Sequence, residues 1–240
     1  ISLFFFLPVI LAYLAFTLYV SFISRSFKDM SFLSISGTIL LSIYVFIPAI
    51  FLEIPSISLI SPLSLVIRSI EGEAVTFMDY FVSSVPLYLG SFAVFTFSHS
   101  LFRNETLFSN ISISDKILKS IRYKVRDSYS GTFKVVLLLV PLVFIIELLL
   151  MGSVFSFDPA TSIIISLIVV AVVEELFKSL PTYSVARETN IGLRKTLLMG
   201  VVAGIAFFMG EKITILASLS GLQNISPGKI IFSSNQGLLF

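Results

Sequence analysis

Six stretches of more than 20 residues, each dominated by apolar side chains, constrain this chain more than any other feature. They cover residues 1–24, 31–52, 80–102, 133–157, 160–187 and 195–219, and the first two contain no charged residue. A helix needs about 20 predominantly apolar residues to cross the hydrocarbon core of a bilayer. We therefore predict an all-α fold: one transmembrane domain, a polytopic bundle with at least six transmembrane helices.

The composition excludes a water-soluble globule. Hydrophobic residues make up 56% of the 240 residues and charged residues only 12%, about half of the roughly 25% that is typical of soluble proteins. The net charge of +2 is too balanced for a nucleic-acid binder, so we expect no nucleic-acid partner. The lack of cysteine excludes disulfides, a thiolate nucleophile and zinc–thiolate sites.

The basic residues are distributed unequally between the loops. Thirteen basic residues lie in the loops after the first, third and fifth predicted spans or in the span ends beside them, namely Arg25, Lys28, Arg103, Lys116, Lys119, Arg122, Lys124, Arg126, Lys134, Lys178, Arg187, Arg194 and Lys195. The other loops hold only Arg68 and Lys229. Because cytoplasmic loops carry the excess of Lys and Arg, we predict a multi-pass cell-membrane protein with its N-terminus outside. The same rule places the loop between spans five and six in the cytoplasm.

Two loops and the chain end carry further expectations. The outer loop 53–79 indicates a short acidic cap. In the inner loop 103–131, Ile113, Ile117, Ile121 and Val125 recur at a spacing of four among basic residues. This pattern predicts an amphipathic helix on the inner membrane surface, beside anionic lipid headgroups. A regulatory or partner-binding role for it is the alternative. We also expect the chain to continue past Phe240, since the apolar run 230–240 is too short to span a bilayer.

Ionisable residues inside the predicted spans are the candidates for function, because each costs about 2.5 to 3.5 kcal/mol at a helix centre. The fifth span contains Glu174, Glu175 and Lys178 within one helical turn, so Lys178 can pair with either carboxylate. Glu211 lies in the sixth span. Glu147 has no companion nearby in sequence, and we interpret it as a buried hydrogen-bonding residue. The single histidine, His99, is expected near the headgroups.

The depths of the three glutamates are similar. Measured from Ile191 in the connecting loop, Glu175 lies 16 residues back and Glu211 lies 20 residues forward. At about 1.5 Å per residue the two heights differ by about 6 Å, so the helical hairpin 160–219 can bring Glu174, Glu175 and Glu211 around one cavity. Gly200 and Gly204 share a helix face with Glu211 and are typical of close helix packing.

Carboxyl groups that share a poorly solvated cavity cannot all ionise cheaply, because desolvation and mutual repulsion both disfavour the charged form. One or more of them should therefore hold a proton. This is the setting for general acid–base chemistry, in which one carboxylate takes a proton from water and another gives one to a leaving amine.

Two motifs resemble those of the PrsW-type membrane proteases, which belong with the CAAX prenyl proteases and bacteriocin-processing enzymes. The first is Glu-Glu-x-x-Lys, here Glu174-Glu175-Leu176-Phe177-Lys178. The second, a glycine-rich helix that ends in Gly-Phe-x-x-x-Glu-Asn, is similar to residues 206–212. Here Ala206 replaces the first Gly and Lys212 replaces the Asn, and the CAAX relatives would have His at Glu211. A family histidine on a later helix has no counterpart before Phe240.

The resemblance implies an intramembrane endopeptidase that hydrolyses a peptide bond in a membrane-anchored protein or peptide. Glu174 or Glu175 is then the general base, Glu211 a proton donor or metal ligand, and Lys178 a supporting charge. Zinc is a possible cofactor, and the sequence does not choose between metal-dependent and glutamate-dependent chemistry. Two alternatives remain open: a non-catalytic membrane scaffold related to these proteases, and a proton-coupled transporter.

Overall fold

The structure is a computed structural model that describes residues 2–50, 52, 60–103, 111–154, 158–187, 189 and 191–219. Within these ranges the chain forms eight α-helices. They are α1 (Ser2–Ile23), α2 (Phe27–Ile50), α3 (Pro62–Ile70), α4 (Phe77–Arg103), α5 (Ile113–Val125), α6 (Tyr129–Val154), α7 (Pro159–Ala186) and α8 (Leu193–Leu219). The apolar run 230–240 lies outside the described residues.

Five of these helices are long and apolar enough to cross a membrane, namely α1, α2, α4, α6 and α8. The chain is therefore a polytopic helical membrane protein. The predicted fifth span falls on α7, which has 28 residues but carries Glu174, Glu175 and Lys178 in its middle. Because of these charges the described part of the chain has five such helices by composition, and a sixth crossing by α7 stays a prediction.

Side-chain caps fix where the helices near the site begin. Asp158 precedes α7, and its carboxylate accepts a hydrogen bond from the Thr161 amide at 3.0 Å. Pro159 follows at the first helical position, where its missing N–H costs nothing. Ser112 caps α5 in the same way, accepting from the Asp115 amide at 3.1 Å. An N-cap of this kind contributes about 1 kcal/mol.

Helix α6 is the centre of the bundle, since it packs against α2, α4, α5, α7 and α8. Helix α1 packs most extensively along α4. One buried cluster joins α6 to α8 through Val136, Val140, Val143, Ala203, Ala206 and Phe207, with Val173 and Phe177 of α7 against it. The helices that carry the candidate residues therefore share one core with α6.

Helix α5 has the predicted amphipathic pattern but covers protein. Its apolar side chains Ile121 and Val125 are buried in a cluster with residues of α4, α6, α7 and α8. Lys116, which the sequence grouped with the surface basic residues, is fully buried. Its ammonium donates to the Phe22 and Ser24 carbonyls at 3.3 and 3.2 Å, at the end of α1. The helix therefore holds the ends of neighbouring helices together.

The outer loop contains a helix that the sequence interpretation missed. Within the loop that was predicted as an acidic cap, α3 begins after Ser61, whose hydroxyl accepts from the Leu63 amide at 3.2 Å. The Ser61 hydroxyl also donates to the Val45 carbonyl at 2.7 Å, which ties this helix to α2. Residues 53–59 of the same loop lie outside the described residues.

Candidate functional site

The charged residues of α7 form a compact ion triad. The Lys178 ammonium donates to Glu174 Oε2 at 2.9 Å and to Glu175 Oε1 at 3.0 Å. Residues three and four positions apart lie on one side of a helix, so the pairing follows directly from the sequence spacing. One ammonium is thus shared by two carboxylates, and the triad has one negative charge more than it can neutralise.

The two glutamates of the pair face different surroundings. The Glu174 side chain is 19% exposed, whereas the Glu175 side chain is 75% exposed. Adjacent helical residues point about 100° apart, so both cannot face the same neighbour. The apolar residues Ile168 and Val172, which share the side of Glu175, are exposed as well. Glu174 is therefore directed towards the bundle and Glu175 away from it.

Helix α8 approaches the triad through an aromatic ring and a second ion pair. The Lys178 ammonium lies 4.5 Å from the centre of the Phe207 ring, a cation–π distance. One turn further along α8, Glu211 is partly buried, and its Oε1 lies 3.8 Å from the Lys212 ammonium. The Lys212 side chain also lies over the Phe208 ring, at 5.5 Å. Each helix of the hairpin thus contributes one lysine to the site.

Glu147 of α6 belongs to the same group of charges. Its carboxyl interacts electrostatically with Glu174, Glu211 and Lys178. Its Oε1 is buried and has no hydrogen-bond partner among the described residues. The sequence interpretation, a hydrogen bond to another helix, therefore does not hold for this oxygen. Glu147 is the functional candidate that the sequence analysis set aside.

A sequence signal for Glu147 existed. Val136, Val140, Val143 and Glu147 follow one another at spacings of four, three and four, which places them on one helix face. The three valines are buried against Ala203, Ala206 and Phe207 of α8. The spacing alone shows that Glu147 continues an apolar face of α6. Only the packing shows that this face meets the two helices of the hairpin, α7 and α8.

The glycines of α8 act differently from the prediction. An ideal Cβ placed on Gly200 or Gly204 has nothing within 4 Å, so no described helix covers this stripe. The close approach occurs at Gly210 instead, where a Cβ would lie 2.7 Å from Val140 Cγ2 and 3.1 Å from Leu137 Cδ1. Gly210 therefore sets the distance between α6 and α8 directly beside Glu211.

The acidic residues and the single histidine do not combine into a metal site in the described part of the chain. In the ranges that the structure describes, no three His, Asp or Glu side chains form a group that could hold a metal ion. His99 is exposed on α4 and does not belong to the acidic group. These residues by themselves do not fit a zinc site, which usually takes His or Cys ligands.

The arrangement has a definite electrostatic character. Glu147, Glu174, Glu175 and Glu211 supply four carboxyl groups, and Lys178 and Lys212 supply two ammonium groups. Glu147, Glu174 and Glu211 lie on three helices that share one apolar core, whereas Glu175 faces away from it. Such a group favours reactions that move protons between carboxyl groups and water.

A comparison with protein-family models, with curated proteins and with solved structures finds no match to this chain. The resemblance to the PrsW-type proteases therefore stays a prediction that depends on the two sequence motifs.

Proposed function

We propose that this protein is an intramembrane endopeptidase that hydrolyses a peptide bond of a membrane-anchored protein or peptide through glutamate-activated water. One observation carries the proposal: the Lys178 ammonium, which Glu174 of α7 accepts from at 2.9 Å, lies 4.5 Å from the centre of the Phe207 ring of α8, one helical turn before Glu211. The two motif-bearing helices thus direct their carboxyl groups towards one region, as a general base and a general acid require.

Glu174 is the preferred general base. Its carboxylate is partly shielded and faces the region that also contains Glu211, whereas the Glu175 carboxylate faces away from the bundle. Glu175 remains the alternative base, because its exposed carboxylate is open to a substrate approaching α7 from outside the bundle. Lys178 orients both carboxylates through its two hydrogen bonds, and Glu211 delivers a proton to the leaving amine.

The membrane placement completes the proposal. Helix α7 has 28 residues and is about 42 Å long at 1.5 Å per residue, which exceeds the roughly 30 Å hydrocarbon core. Its exposed side chains Ile164, Ile168, Val172 and Leu176 are apolar, which supports a sixth crossing. The protein lies in the cell membrane with its N-terminus outside, and the α7–α8 loop is cytoplasmic. Lys119, Arg122 and Lys124 of α5 then face anionic headgroups, whereas Lys116 is buried, and no nucleic acid is a partner.

Zinc has no part in the proposed steps, because the described residues do not offer a set of ligands for it. Glu174 and Glu211 remain available for a proton-transfer mechanism.

The test compares the ends of membrane proteins in cells that produce the full chain or its variants. Newly formed N-termini within or beside membrane-spanning segments should appear with the wild type and be lost with Glu174→Gln and with Glu211→Gln. The matched control is Glu73→Gln, which removes an exposed outer carboxylate that pairs with Arg68. It should leave the new termini unchanged.

The variants also distinguish the two possible bases. If Glu175→Gln abolishes the new termini and Glu174→Gln does not, Glu175 is the base. If cells that produce Glu174→Gln and cells that produce Glu211→Gln both still show all the new N-termini seen with the wild type, the proposed hydrolytic site is wrong. A scaffold would tolerate these changes and copurify with a partner protein.

Proton-coupled transport is the second candidate. The observation that favours it is that Glu147 extends the acidic group from the α7–α8 hairpin to α6, since carboxyl groups on several helices can relay protons. In sealed vesicles a transporter would move protons or a solute, and Glu174→Gln or Glu147→Gln would alter that movement. The endopeptidase instead predicts no such movement.

A further inference from the structure

Peptide-bond hydrolysis consumes water, so the proposed site needs a route by which water reaches it. Glu174 lies 12 residues before Ala186, the last residue of α7. At about 1.5 Å per residue this carboxylate is about 18 Å from the end of the helix. Because the hydrocarbon core of a bilayer holds no solvating water, water has to enter along polar groups of the protein itself.

Thr182 continues the line of Glu174 and Lys178 towards the end of α7. The three residues follow one another at a spacing of four, which places them along one side of the helix. The Thr182 Oγ1 atom is enclosed by the protein and has no hydrogen-bond partner among the described residues. An enclosed hydroxyl without a partner is costly, and water is a common partner of such groups in protein interiors.

The hydroxyls on either side of Thr182 are satisfied within the helix. Ser179 donates to the Leu176 carbonyl at 2.9 Å, and Ser184 donates to the Pro181 carbonyl at 2.7 Å. Such bonds from a serine or threonine to the carbonyl three or four residues before it are usual in helices. The Thr182 hydroxyl makes no bond of this kind.

Pro181, directly before Thr182, adds a second hydrogen-bonding group at the same level of α7. Proline has no N–H, so it cannot donate to the Phe177 carbonyl that points towards it from four residues earlier. One turn further in, the Lys178 ammonium has a third N–H beside the two that it gives to the glutamates of α7. An enclosed water molecule needs roughly two to four polar partners, and the Thr182 hydroxyl and the Phe177 carbonyl offer the first two.

We propose that Thr182 is a positioning residue that binds water on its way from the end of α7 to the Glu174 carboxylate. The path runs from the Thr182 hydroxyl past the Phe177 carbonyl to the Lys178 ammonium. Thr182 does not touch the substrate and acts only through the water that it holds. This inference rests on the proposed function for its place in the reaction.

The experiment uses the lack of cysteine in the chain. Glu174→Cys places a single thiol at the inner end of the path. A small methanethiosulfonate reagent modifies the thiolate, which forms where water reaches the sulfur. The rate of this modification is measured on the purified full chain in lipid nanodiscs, in which both membrane faces are open to the reagent. No substrate is needed.

Three second substitutions are compared in the Glu174→Cys background. Thr182→Val removes the hydroxyl and keeps the branched shape, and it should lower the modification rate about fivefold, which corresponds to one hydrogen bond lost by the water. Thr182→Ser keeps the hydroxyl and should leave the rate within about twofold of its parent. The matched control is Ser179→Ala, which removes an exposed hydroxyl bonded within its own helix and should not change the rate.

Two results of this experiment would overturn the proposal. Equal rates in Thr182→Val and Thr182→Ser would mean that water reaches the site by another route. No modification of the Glu174→Cys thiol at all would mean that water does not reach it.

A second measurement does not use Glu174→Cys and stays available if that variant does not fold. Thr182→Val alone should have a melting temperature equal to or below that of the wild type, because its substitution removes a hydroxyl that is hydrogen-bonded to water. A higher melting temperature would contradict the proposal, since removal of a dry, unpaired hydroxyl stabilises the folded state.

The kinetic consequence separates this inference from the endopeptidase. With a substrate identified from the new N-termini, Thr182→Val should lower kcat about fivefold while KM stays within about twofold, and Thr182→Ser should restore kcat. An unchanged kcat would refute the role of Thr182. If no cleavage is found but the modification rates follow the expected order, the endopeptidase is wrong and the water path stands. If Glu174→Gln abolishes cleavage but the modification rates ignore Thr182, the path is wrong and the endopeptidase stands.

Discussion

Replacing Gly210 by Ala tests whether α6 and α8 meet as closely as the structure indicates. The added Cβ would lie 2.7 Å from Val140 Cγ2 and 3.1 Å from Leu137 Cδ1, whereas carbon atoms prefer about 3.5–4.0 Å. The Val140 side chain has one strongly preferred rotamer in a helix, so it cannot rotate away. The helices must therefore separate by roughly 1 Å. Because Gly210 precedes Glu211, the same movement displaces the Glu211 carboxyl relative to α6.

The magnitude follows from comparison with Gly204→Ala on the same helix. Both variants gain helix propensity, about 1 kcal/mol in each case, so this contribution cancels in the comparison. Only Gly210→Ala adds the cost of overpacking, about 1–3 kcal/mol. Gly204→Ala meets nothing within 4 Å. The free energy of unfolding should therefore be about 1–3 kcal/mol lower for Gly210→Ala than for Gly204→Ala.

The assay is thermal unfolding of the two purified variants in one mild detergent, followed by the amount of protein that stays monodisperse. At roughly 2–4 °C per kcal/mol, Gly210→Ala should unfold roughly 2–12 °C below Gly204→Ala. Equal melting temperatures would refute the close contact at Gly210. A lower melting temperature for Gly204→Ala would show that the stripe on α8 is covered instead.

Two further predictions concern α5. Lys116→Met should lower the free energy of unfolding by about 1–3 kcal/mol, since two carbonyl oxygens at the end of α1 lose their charged donor. Lys124→Met on the same helix is the control in a thermal unfolding assay. Equal effects of the two substitutions would contradict the role of Lys116 in capping α1. Hydrogen bonds from Ser112 and Arg187 hold the pKa of Asp115 below its usual value. Because a lowered carboxyl pKa stabilises the folded state above the unfolded pKa of about 3.9, this contribution disappears as the pH falls through the folded value. Asp115→Asn should therefore show a weaker loss of melting temperature on acidification below about pH 4, and an unchanged pH dependence would argue against the Asp115–Arg187 link.

Local features of the site were accessible from the sequence. The helical repeat alone places Lys178 within reach of Glu174 and Glu175, and the structure has both ion pairs. The amphipathic repeat likewise located α5 without long-range information. Helix geometry fixes such relations within a few residues, so they do not depend on how the helices pack.

The sequence failed where the answer depends on contacts between helices. It treated the two glutamates of the pair as equivalent, but Glu174 faces the bundle and Glu175 does not. It assigned the close helix contact to Gly200 and Gly204, and the contact occurs at Gly210. The spacing of these residues is compatible with either arrangement, because periodicity gives a helix face but not its neighbour.

The sequence by itself determined that this protein is a helical membrane protein and that α7 carries an ion triad, because both depend on composition and on the helical repeat. Only the tertiary structure decided that the face of α6 that continues to Glu147 packs against α7 and α8, and that Lys116 is buried at the end of α1. These relations connect residues tens of positions apart in the chain. They arise from the packing of whole helix faces, which no local pattern specifies.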